Sequence, residues 1–163
     1  LAEASRAGVR VDLIIRGICC LRPGVPGHTE HISVTSVVGR FLEHSRIYSF
    51  GSGENQRLFL GSADMMTRNT QRREVICPVY ATHTKARLNH ILDILLRDTV
   101  KARALDSEGS YQKKVPAPGA PGLSSQDFFM DEAVRSCREV EFAARALPSG
   151  PLGGLLRRLR RRG

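Results

Sequence analysis

Arg16 stands at a position where a side chain could bind phosphate. It directly follows an apolar, β-branched run, and a loop with three glycines and two prolines comes after it. Ligands bind beyond the carboxyl ends of strands in open α/β sheets, and a guanidinium there can hold phosphate oxygens in a bidentate way. An arginine that only donates hydrogen bonds to loop carbonyls would look the same, so the residue pattern leaves both interpretations open.

His44 begins a second stretch whose residue types could do chemistry. Arg46 follows it two residues later, and Gly61-Ser62 begins fifteen residues after Arg46. Two strands joined by a short turn would bring these groups to neighbouring positions. There the imidazole could move a proton or accept a phosphoryl group, while the guanidinium and backbone N–H groups hold the equatorial oxygens. A lone surface or core histidine is the alternative that these residues leave open.

A polar segment follows Gly61-Ser62 and contains three arginines between residues 67 and 74. These arginines suit the wall of a phosphate site, and a solvated helix surface explains them equally well. We therefore treat Arg46, Ser62 and Arg68 as candidate phosphate contacts. No metal site is expected, because the other four histidines and the four cysteines lack the spacing of a ligand set.

The composition limits the class of protein. A chain of 163 residues holds one ordinary domain and a tail, and no apolar run approaches the ~18 residues that a membrane span needs. The net charge of +9 favours polyanionic partners such as nucleic acid, an anionic membrane or a phosphate polymer. Four cysteines without a Cys-x-x-Cys spacing indicate free thiols in a reducing cytoplasm. The chain begins in an amphipathic stretch without an initiator Met, so we expect a segment to precede it.

Alternating strands and helices predict a mixed α/β domain. Predicted helices cover residues 1–7, 34–42, 83–97 after a Thr82 cap, and 126–146 after a Ser125 cap. Predicted strands cover residues 9–15, 46–50, 57–60, 73–79, 101–105 and 111–115, the last two as a hairpin. We expect one domain over residues 1–115, a linker and C-terminal helix over 116–147, and a disordered Arg-rich tail over 148–163.

Three segments are recognisable by their residues and their order. They read VDLIIRGICCLRPG at residues 11–24, SVVGRFLEHSRIY at 36–48 and GSADMMTRN at 61–69. All three closely resemble hallmark segments of the bacterial polyphosphate kinases, and the likeness runs from about residue 1 to about residue 115. The resemblance implies a phospholipase-D-like α/β fold, a mixed sheet flanked by helices. Within the family, the chain is similar to the second of two tandem domains of this kind.

The resemblance also implies an activity. The family transfers the terminal phosphate of ATP reversibly to polyphosphate through a phosphohistidine, and that histidine belongs to the preceding domain. His44 matches the family's second active-site histidine, beside the transferring phosphate, and Arg16 matches an arginine that binds the nucleotide phosphates. The family's magnesium ligands lie upstream, so we expect Mg²⁺ to act with ATP without a metal ligand in this chain, which alone should be inactive.

The expected partners are ATP or ADP, polyphosphate, the preceding domains of the same chain and a second copy in a homo-oligomer. We expect a cytoplasmic protein without a specific nucleic-acid partner, and the Arg-rich tail is the candidate for a peripheral membrane contact. One departure from the family pattern is Met65, which stands where the family usually has Trp. Met can fill the same apolar gap, so we expect function to be retained.

Two other functions remain alternatives. A phospholipase-D-like phosphodiesterase or nuclease would use paired His-x-Lys motifs, but Arg46 occupies the lysine position here and arginine stays protonated. A non-catalytic polyanion-binding module would account for the charge of +9, but the sequence shows no aromatic ladder for base stacking.

Overall fold

The structure is a computed structural model that describes residues 1–64, 66–71 and 73–146. For Arg68, Thr70, Glu141 and residues 143–146 it describes the backbone alone. The chain divides into two compact units, residues 1–125 and the segment that begins at Gln126. The tail predicted over residues 148–163 lies outside the described residues, and the predicted domain boundaries stay a prediction.

The first unit is a mixed α/β domain built on two small sheets. Its strands are β1 Val11–Ile14, β2 Ile32–Val37, β3 Ile47–Phe50, β4 Arg57–Gly61, β5 Ile76–Val79, β6 Ala102–Leu105 and β7 Tyr111–Lys113. Its helices are α1 Ala2–Arg6, α2 Thr67–Thr70 and α3 Thr82–Leu96, with a single 3-10 turn at Gly53–Asn55. The last helix, α4 Ser125–Ala146, supplies the described part of the second unit.

The first sheet has the strand order β1-β2-β6-β7. Strand β1 runs parallel to β2, and the other two pairs are antiparallel. Strand β2 lies inside this sheet and is almost wholly buried, with Val34 and Val37 each 2% exposed. This sheet therefore carries the main apolar core of the unit and fixes the carboxyl end of β1, from which Arg16 follows.

The helix predicted over residues 34–42 is wrong. Residues 34–37 belong to β2, and the chain from Val38 to Arg46 has no helical turn. The valines fall at helical spacing, but their branched Cβ atoms favour a strand, and a strand buried on both faces has no polar alternation. His44 is therefore presented by an irregular segment between two strands rather than by the end of a helix.

The second sheet has the order β3-β4-β5, and both pairs are antiparallel. Leu58 at its centre is 1% exposed. The tight turn between β3 and β4 needs Gly51, since its φ is 74° and an added Cβ would lie 3.0 Å from the Asn55 carbonyl oxygen. The predicted strands over 46–50 and 57–60 are confirmed, and they bring the segments before β3 and after β4 together.

Several boundaries differ from the prediction. Strand β5 is shorter than the predicted 73–79, and the short helix α2 was not predicted. Helix α3 begins at Thr82 itself after Ala81, without a side-chain cap, so the Thr82 cap is wrong. The predicted hairpin is confirmed as β6 and β7. A backbone hydrogen bond from Ser110 lowers the pKa of the Asp106 carboxyl in its turn.

A buried carboxylate closes the first unit. Asp98 is 0% exposed and follows α3. One of its oxygens accepts the backbone N–H groups of residues 100–102, and the other accepts the Ser125 N–H and hydroxyl at 2.7 Å each. Burial opposes ionisation, but these hydrogen bonds outweigh it and lower the pKa of the Asp98 carboxyl. The Ser125 hydroxyl is therefore a donor to Asp98 at the start of α4.

Candidate active site

Arg16 extends from the carboxyl end of β1 in the first sheet. The last sheet contact before it is the Ile15 N–H, which donates to the Thr35 carbonyl oxygen at 2.9 Å. Arg16 itself is exposed, and within the described part of the chain no hydrogen bond or ion pair engages its side chain. Its guanidinium therefore keeps its donors available for a ligand, and the structural interpretation, donation to loop carbonyls, is not what the structure shows.

The loop after Arg16 is tied by Thr29. The buried Thr29 hydroxyl donates to the Arg22 carbonyl oxygen at 2.6 Å and accepts the Val25 N–H at 3.1 Å. An open depression lies beside this loop, lined by residues 17–22 and by residues of the β6–β7 hairpin. The loop is thus held locally, and the open depression begins at Gly17, the residue after Arg16.

His44 is exposed in the segment before β3, and the side chain of Arg46, two residues later, contacts both its backbone and its ring. Arg46 Nη1 donates to the His44 carbonyl oxygen at 2.8 Å. The same Nη1 lies 2.8 Å from His44 Nδ1, and Nη2 lies 3.2 Å from Nε2. A neutral imidazole has one acceptor nitrogen and its two nitrogens point apart, so only one of these contacts is a hydrogen bond. The guanidinium therefore lies against the ring and touches both its edges.

Asp64 completes this contact on the other side of Arg46. Its Oδ1 accepts Arg46 Nε at 2.9 Å and lies 2.7 Å from Nη2. The Arg46 side chain is only 14% exposed, and that of Asp64 is 37% exposed. Arg46, predicted as a candidate phosphate contact, therefore directs its donors to a carboxylate and to His44. Its action on phosphate stays a prediction.

Gly61 brings the end of β4 close to Tyr48. A Cβ at Gly61 would lie 2.9 Å from Tyr48 Cε2, a distance at which the ring must move. The Tyr48 hydroxyl donates to the Ala63 carbonyl oxygen at 2.8 Å, and the Gly61 N–H donates to the Arg46 carbonyl oxygen at 3.0 Å. Only glycine allows this approach, which fixes the backbone leading into Asp64.

Ser62 and Arg68 were also predicted to contact phosphate. The Ser62 hydroxyl donates to Glu74 Oε2 at 2.5 Å and accepts the Val75 N–H at 3.0 Å, so it links the end of β4 to the start of β5. Arg68 lies on α2, and its side chain is outside the described residues. The role of Ser62 and Arg68 toward phosphate stays a prediction.

Three residues hold the site without having been assigned a role from sequence: Tyr48, Asp64 and Asn69. The Asp64 carbonyl oxygen accepts the Met66 N–H at 2.8 Å and Asn69 Nδ2 at 3.1 Å. Asn69 is buried, and its hydrogen bond to the Asp64 carbonyl oxygen compensates for the removal of its amide from water. The signals in the sequence are the segments SVVGRFLEHSRIY, which ends at Tyr48, and GSADMMTRN, which holds Asp64 and Asn69, but neither segment says which residues are in contact.

The structure joins His44, Arg46 and the segment from Gly61 to Asp64 into one cluster at the edge of the second sheet. Arg16 lies at the end of the first sheet, and none of the described hydrogen bonds or ion pairs joins it to His44. The carboxylates of this cluster bind Arg46 and Ser62, and no group of three or more His, Cys, Asp or Glu side chains in the described ranges could hold a metal. Mg²⁺ therefore does not fit these residues.

None of the helices in the described part of the chain combines the length and the hydropathy that a membrane span requires.

The fold and the cluster define the first unit as a mixed α/β domain with an exposed histidine at a sheet edge. Residues 1–126 match the family described as polyphosphate kinase C-terminal domain 2. The chain is 52% identical over 136 residues to a polyphosphate kinase of Halalkalibacterium halodurans, a match that covers 83% of the chain and 19% of that protein. It is 47% identical over 140 residues to a polyphosphate kinase of Synechocystis, a match that covers 85% of the chain and 19% of that protein.

A solved structure agrees with these relatives. The crystal structure of polyphosphate kinase from Porphyromonas gingivalis matches 86% of the chain and 21% of that protein, with a TM-score of 0.76 and 39% identity. The chain belongs to the polyphosphate kinase family. The predicted phospholipase-D-like mixed α/β fold is confirmed, and the chain spans about a fifth of the length of the curated relatives it matches.

Proposed function

We propose that this chain is the second phospholipase-D-like domain of a polyphosphate kinase, an enzyme that transfers the terminal phosphate of ATP reversibly to polyphosphate. The observation that carries the proposal is the state of His44, whose imidazole is exposed while Arg46 restrains it. Exposure admits a substrate, and a restrained ring suits proton transfer in a transition state. The family assignment supports the same conclusion.

In the proposed mechanism, the γ-phosphorus of ATP forms a bond to a histidine of the preceding domain as its bond to ADP breaks. The phosphoryl group then passes to the terminal oxygen of the polyphosphate chain. His44 lies beside the transferring group and supplies or removes the proton at the oxygen that leaves or attacks. Arg16 holds non-reacting phosphate oxygens of the nucleotide, since its donors have no described protein partner.

Other parts of the proposal concern residues and partners outside the cluster. Mg²⁺ would neutralise charge on the ATP phosphates, with its ligands in the preceding domain, since the carboxylates here bind Arg46 and Ser62. Ser62, Arg68 and Arg46 are proposed as further phosphate contacts. We propose a cytoplasmic location, because ATP is supplied in the cytoplasm. The homo-oligomer and the inactivity of this chain without the preceding domains are proposed from the family resemblance. No specific nucleic-acid partner is proposed, and a peripheral membrane contact of the tail stays a prediction.

The test uses the complete polyphosphate kinase chain that carries this segment. Labelled ATP and magnesium are supplied, and acid-insoluble phosphate polymer is counted for wild type, His44→Ala and Arg16→Ala. Removing one group that stabilises transition-state charge costs on the order of 10²–10³ in kcat. We expect losses of that size for both variants, with unchanged circular dichroism.

Two exposed residues of the same types serve as controls. His83→Ala on α3 and Arg103→Ala on β6 should leave polymer synthesis within about twofold, since surface changes are usually small. Polymer formed normally by both the His44 and Arg16 variants would refute the proposal.

The two alternatives receive no specific support. A phosphodiesterase with the paired motif would need a lysine-like proton carrier where Arg46 stands, and this arginine is largely buried against Asp64. A binding module for any polyanion would not require an exposed, restrained histidine. Cleavage of a phosphodiester by the complete protein would restore the first alternative, and equal, salt-steep binding of DNA and polyphosphate would restore the second.

A further inference from the structure

We propose that Asp64 is a positioning residue for His44, which acts through the guanidinium of Arg46. The inference rests on the function proposed for His44 and goes beyond it, because it assigns a role to a carboxylate that need not touch substrate. In this arrangement Asp64 holds Arg46, and Arg46 holds both the backbone and the ring of His44. Proton transfer then begins from one ring orientation rather than from several.

The Asp64–Arg46 contact has the geometry of a restraint. A single carboxylate oxygen receives two guanidinium nitrogens at 2.9 and 2.7 Å, which fixes the position of the guanidinium, and the Nη1 contact with His44 limits its rotation. Arg46 is largely removed from solvent, so the attraction is screened less than in a surface pair. Loss of the carboxylate would leave a mostly buried cation without this counter-charge, and the guanidinium would move toward water.

Arg46 passes this restraint to His44 at two points. Its Nη1 donates to the His44 carbonyl oxygen, and the Nη1–Nη2 edge lies against the imidazole. The carbonyl contact fixes the backbone of an irregular segment, and the ring contact limits rotation about the side-chain bonds. An exposed histidine without such contacts would sample several rotamers.

Asp64 is itself anchored to the second sheet. Its carbonyl oxygen accepts the Met66 N–H and Asn69 Nδ2, and the preceding carbonyl, of Ala63, accepts the Tyr48 hydroxyl. The restraint on His44 therefore starts from backbone held on both sides of Asp64. Supporting contacts of this kind keep a catalytic side chain in its productive geometry.

The two arginines of the site differ in the way this proposal requires. The positive charge of Arg46 is neutralised by Asp64, whereas Arg16 has no described protein partner. Arg16 is therefore the arginine with all of its donors available to nucleotide phosphate, whereas Arg46 directs Nε and Nη2 to Asp64 and Nη1 to His44. Changes at Arg16 should raise the KM for ATP in addition to lowering kcat, while changes along the Asp64–Arg46 link should lower kcat and leave that KM nearly constant.

The test is a double-mutant cycle in the complete polyphosphate kinase chain, with initial rates of polymer formation from labelled ATP. Asp64→Asn should lower kcat by about 10- to 100-fold, the effect of a displacement near 1 Å, with the KM for ATP within twofold. In a His44→Ala background the same change should cost less than about twofold, because no ring remains to be positioned. Asp93→Asn, an exposed carboxylate paired with Arg97, is the control and should change neither parameter.

Two further variants keep the charge and test the same link. Asp64→Glu should recover most of the kcat lost in Asp64→Asn. Arg46→Lys should lose kcat although its ion pair can form, because an ammonium cannot span Asp64 and His44 together. These two decide the matter if the His44→Ala background is too slow to measure or Asp64→Asn does not fold.

The outcomes separate this inference from the proposed function. Full activity of His44→Ala would refute the role of His44, and the positioning role would fall with it. If His44→Ala lowers kcat, and adding Asp64→Asn lowers it again by the same factor as in the wild type, only the positioning role of Asp64 would be overturned. Equal losses in Asp64→Asn and Asp64→Glu, or a raised KM for ATP in both, would also overturn it.

Discussion

Replacing Asp98 with Asn should destabilise the first unit strongly although the two side chains have nearly the same shape. Asp98 is fully buried and accepts five hydrogen bonds, three on Oδ1 and two on Oδ2. An asparagine amide must put an NH₂ group in place of one oxygen. At Oδ1 it would face three backbone N–H groups, so the less costly orientation turns it toward Ser125.

The magnitude follows from counting the bonds that change. The Ser125 hydroxyl can rotate to accept from the new NH₂ group, but the Ser125 N–H loses its acceptor, which costs about 1–3 kcal/mol when buried. The three bonds on Oδ1 become neutral and lose about half their strength, roughly another 1–2 kcal/mol. Relief from burying a charge offsets part of this. We expect a net loss of about 3 kcal/mol in the free energy of unfolding, or about 10 °C in Tm for a chain of this size.

The assay is urea unfolding of the 163-residue chain at several pH values, followed by circular dichroism. The matched control is Asp93→Asn, since Asp93 is 57% exposed and its pair with Arg97 contributes only about 0.3–0.5 kcal/mol.

The pH dependence has a definite sign. The pKa of Asp98 in the folded chain lies below its ordinary value of 3.8, so ionisation stabilises the fold above that value. The difference between wild type and Asp98→Asn should be constant from about pH 7 to 5 and shrink as pH falls through the folded pKa. A cost no larger than that of the control, or a difference that grows toward acid pH, would refute the account of Asp98.

Two further predictions concern packing in the second sheet. Gly61→Ala should lower the free energy of unfolding by about 1–3 kcal/mol and weaken the Tyr48–Ala63 hydrogen bond, because the added Cβ would lie 2.9 Å from the Tyr48 ring. Urea unfolding measures this loss. A smaller loss for the same change in a Tyr48→Ala background would confirm the clash. Gln56 and Asn89 exchange two hydrogen bonds of 2.8 Å between the β3–β4 connection and α3. Each single alanine variant should lower the free energy of unfolding by about 1–2 kcal/mol, and the double variant should lower it by clearly less than the sum of the two. Strictly additive losses in urea unfolding would show that the two side chains are not coupled.

Local turn chemistry explains which elements could be predicted from sequence. The β3–β4 and β6–β7 pairs each join strands that are close in the chain, around a glycine at φ 74° or around an aspartate that accepts turn N–H groups. The prediction for β2 failed because this strand pairs along its two edges with β1 and β6, which are distant in sequence, and because it is almost wholly buried. Periodicity alone does not separate such a strand from a buried helix.

The residues of the candidate site likewise separate into those that sequence motifs indicate and those that only long-range contacts reveal. Arg16 and His44 can be named as candidates from sequence, because their residue types and their order within the three motifs are specific, and their roles stay predictions. The role of Asp64 could not be predicted, because its contact with Arg46 spans eighteen residues and depends on the register of β3 and β4. The exposure of Arg16 and the burial of Arg46 are likewise properties of packing that the sequence does not give.

The arginine at position 46 is best understood through the number of groups it contacts. A phospholipase-D-like histidine motif has lysine there, whose ammonium is a compact point charge with rotatable donors. The guanidinium of Arg46 uses Nε and Nη2 for Asp64 and Nη1 for His44, three directed contacts from one rigid plane. In the proposed function, the exchange of lysine for arginine moves this position from proton chemistry to positioning of His44. His44 then handles the proton, and most of the guanidinium donors for nucleotide phosphate come from a separate arginine, the role that we propose for Arg16.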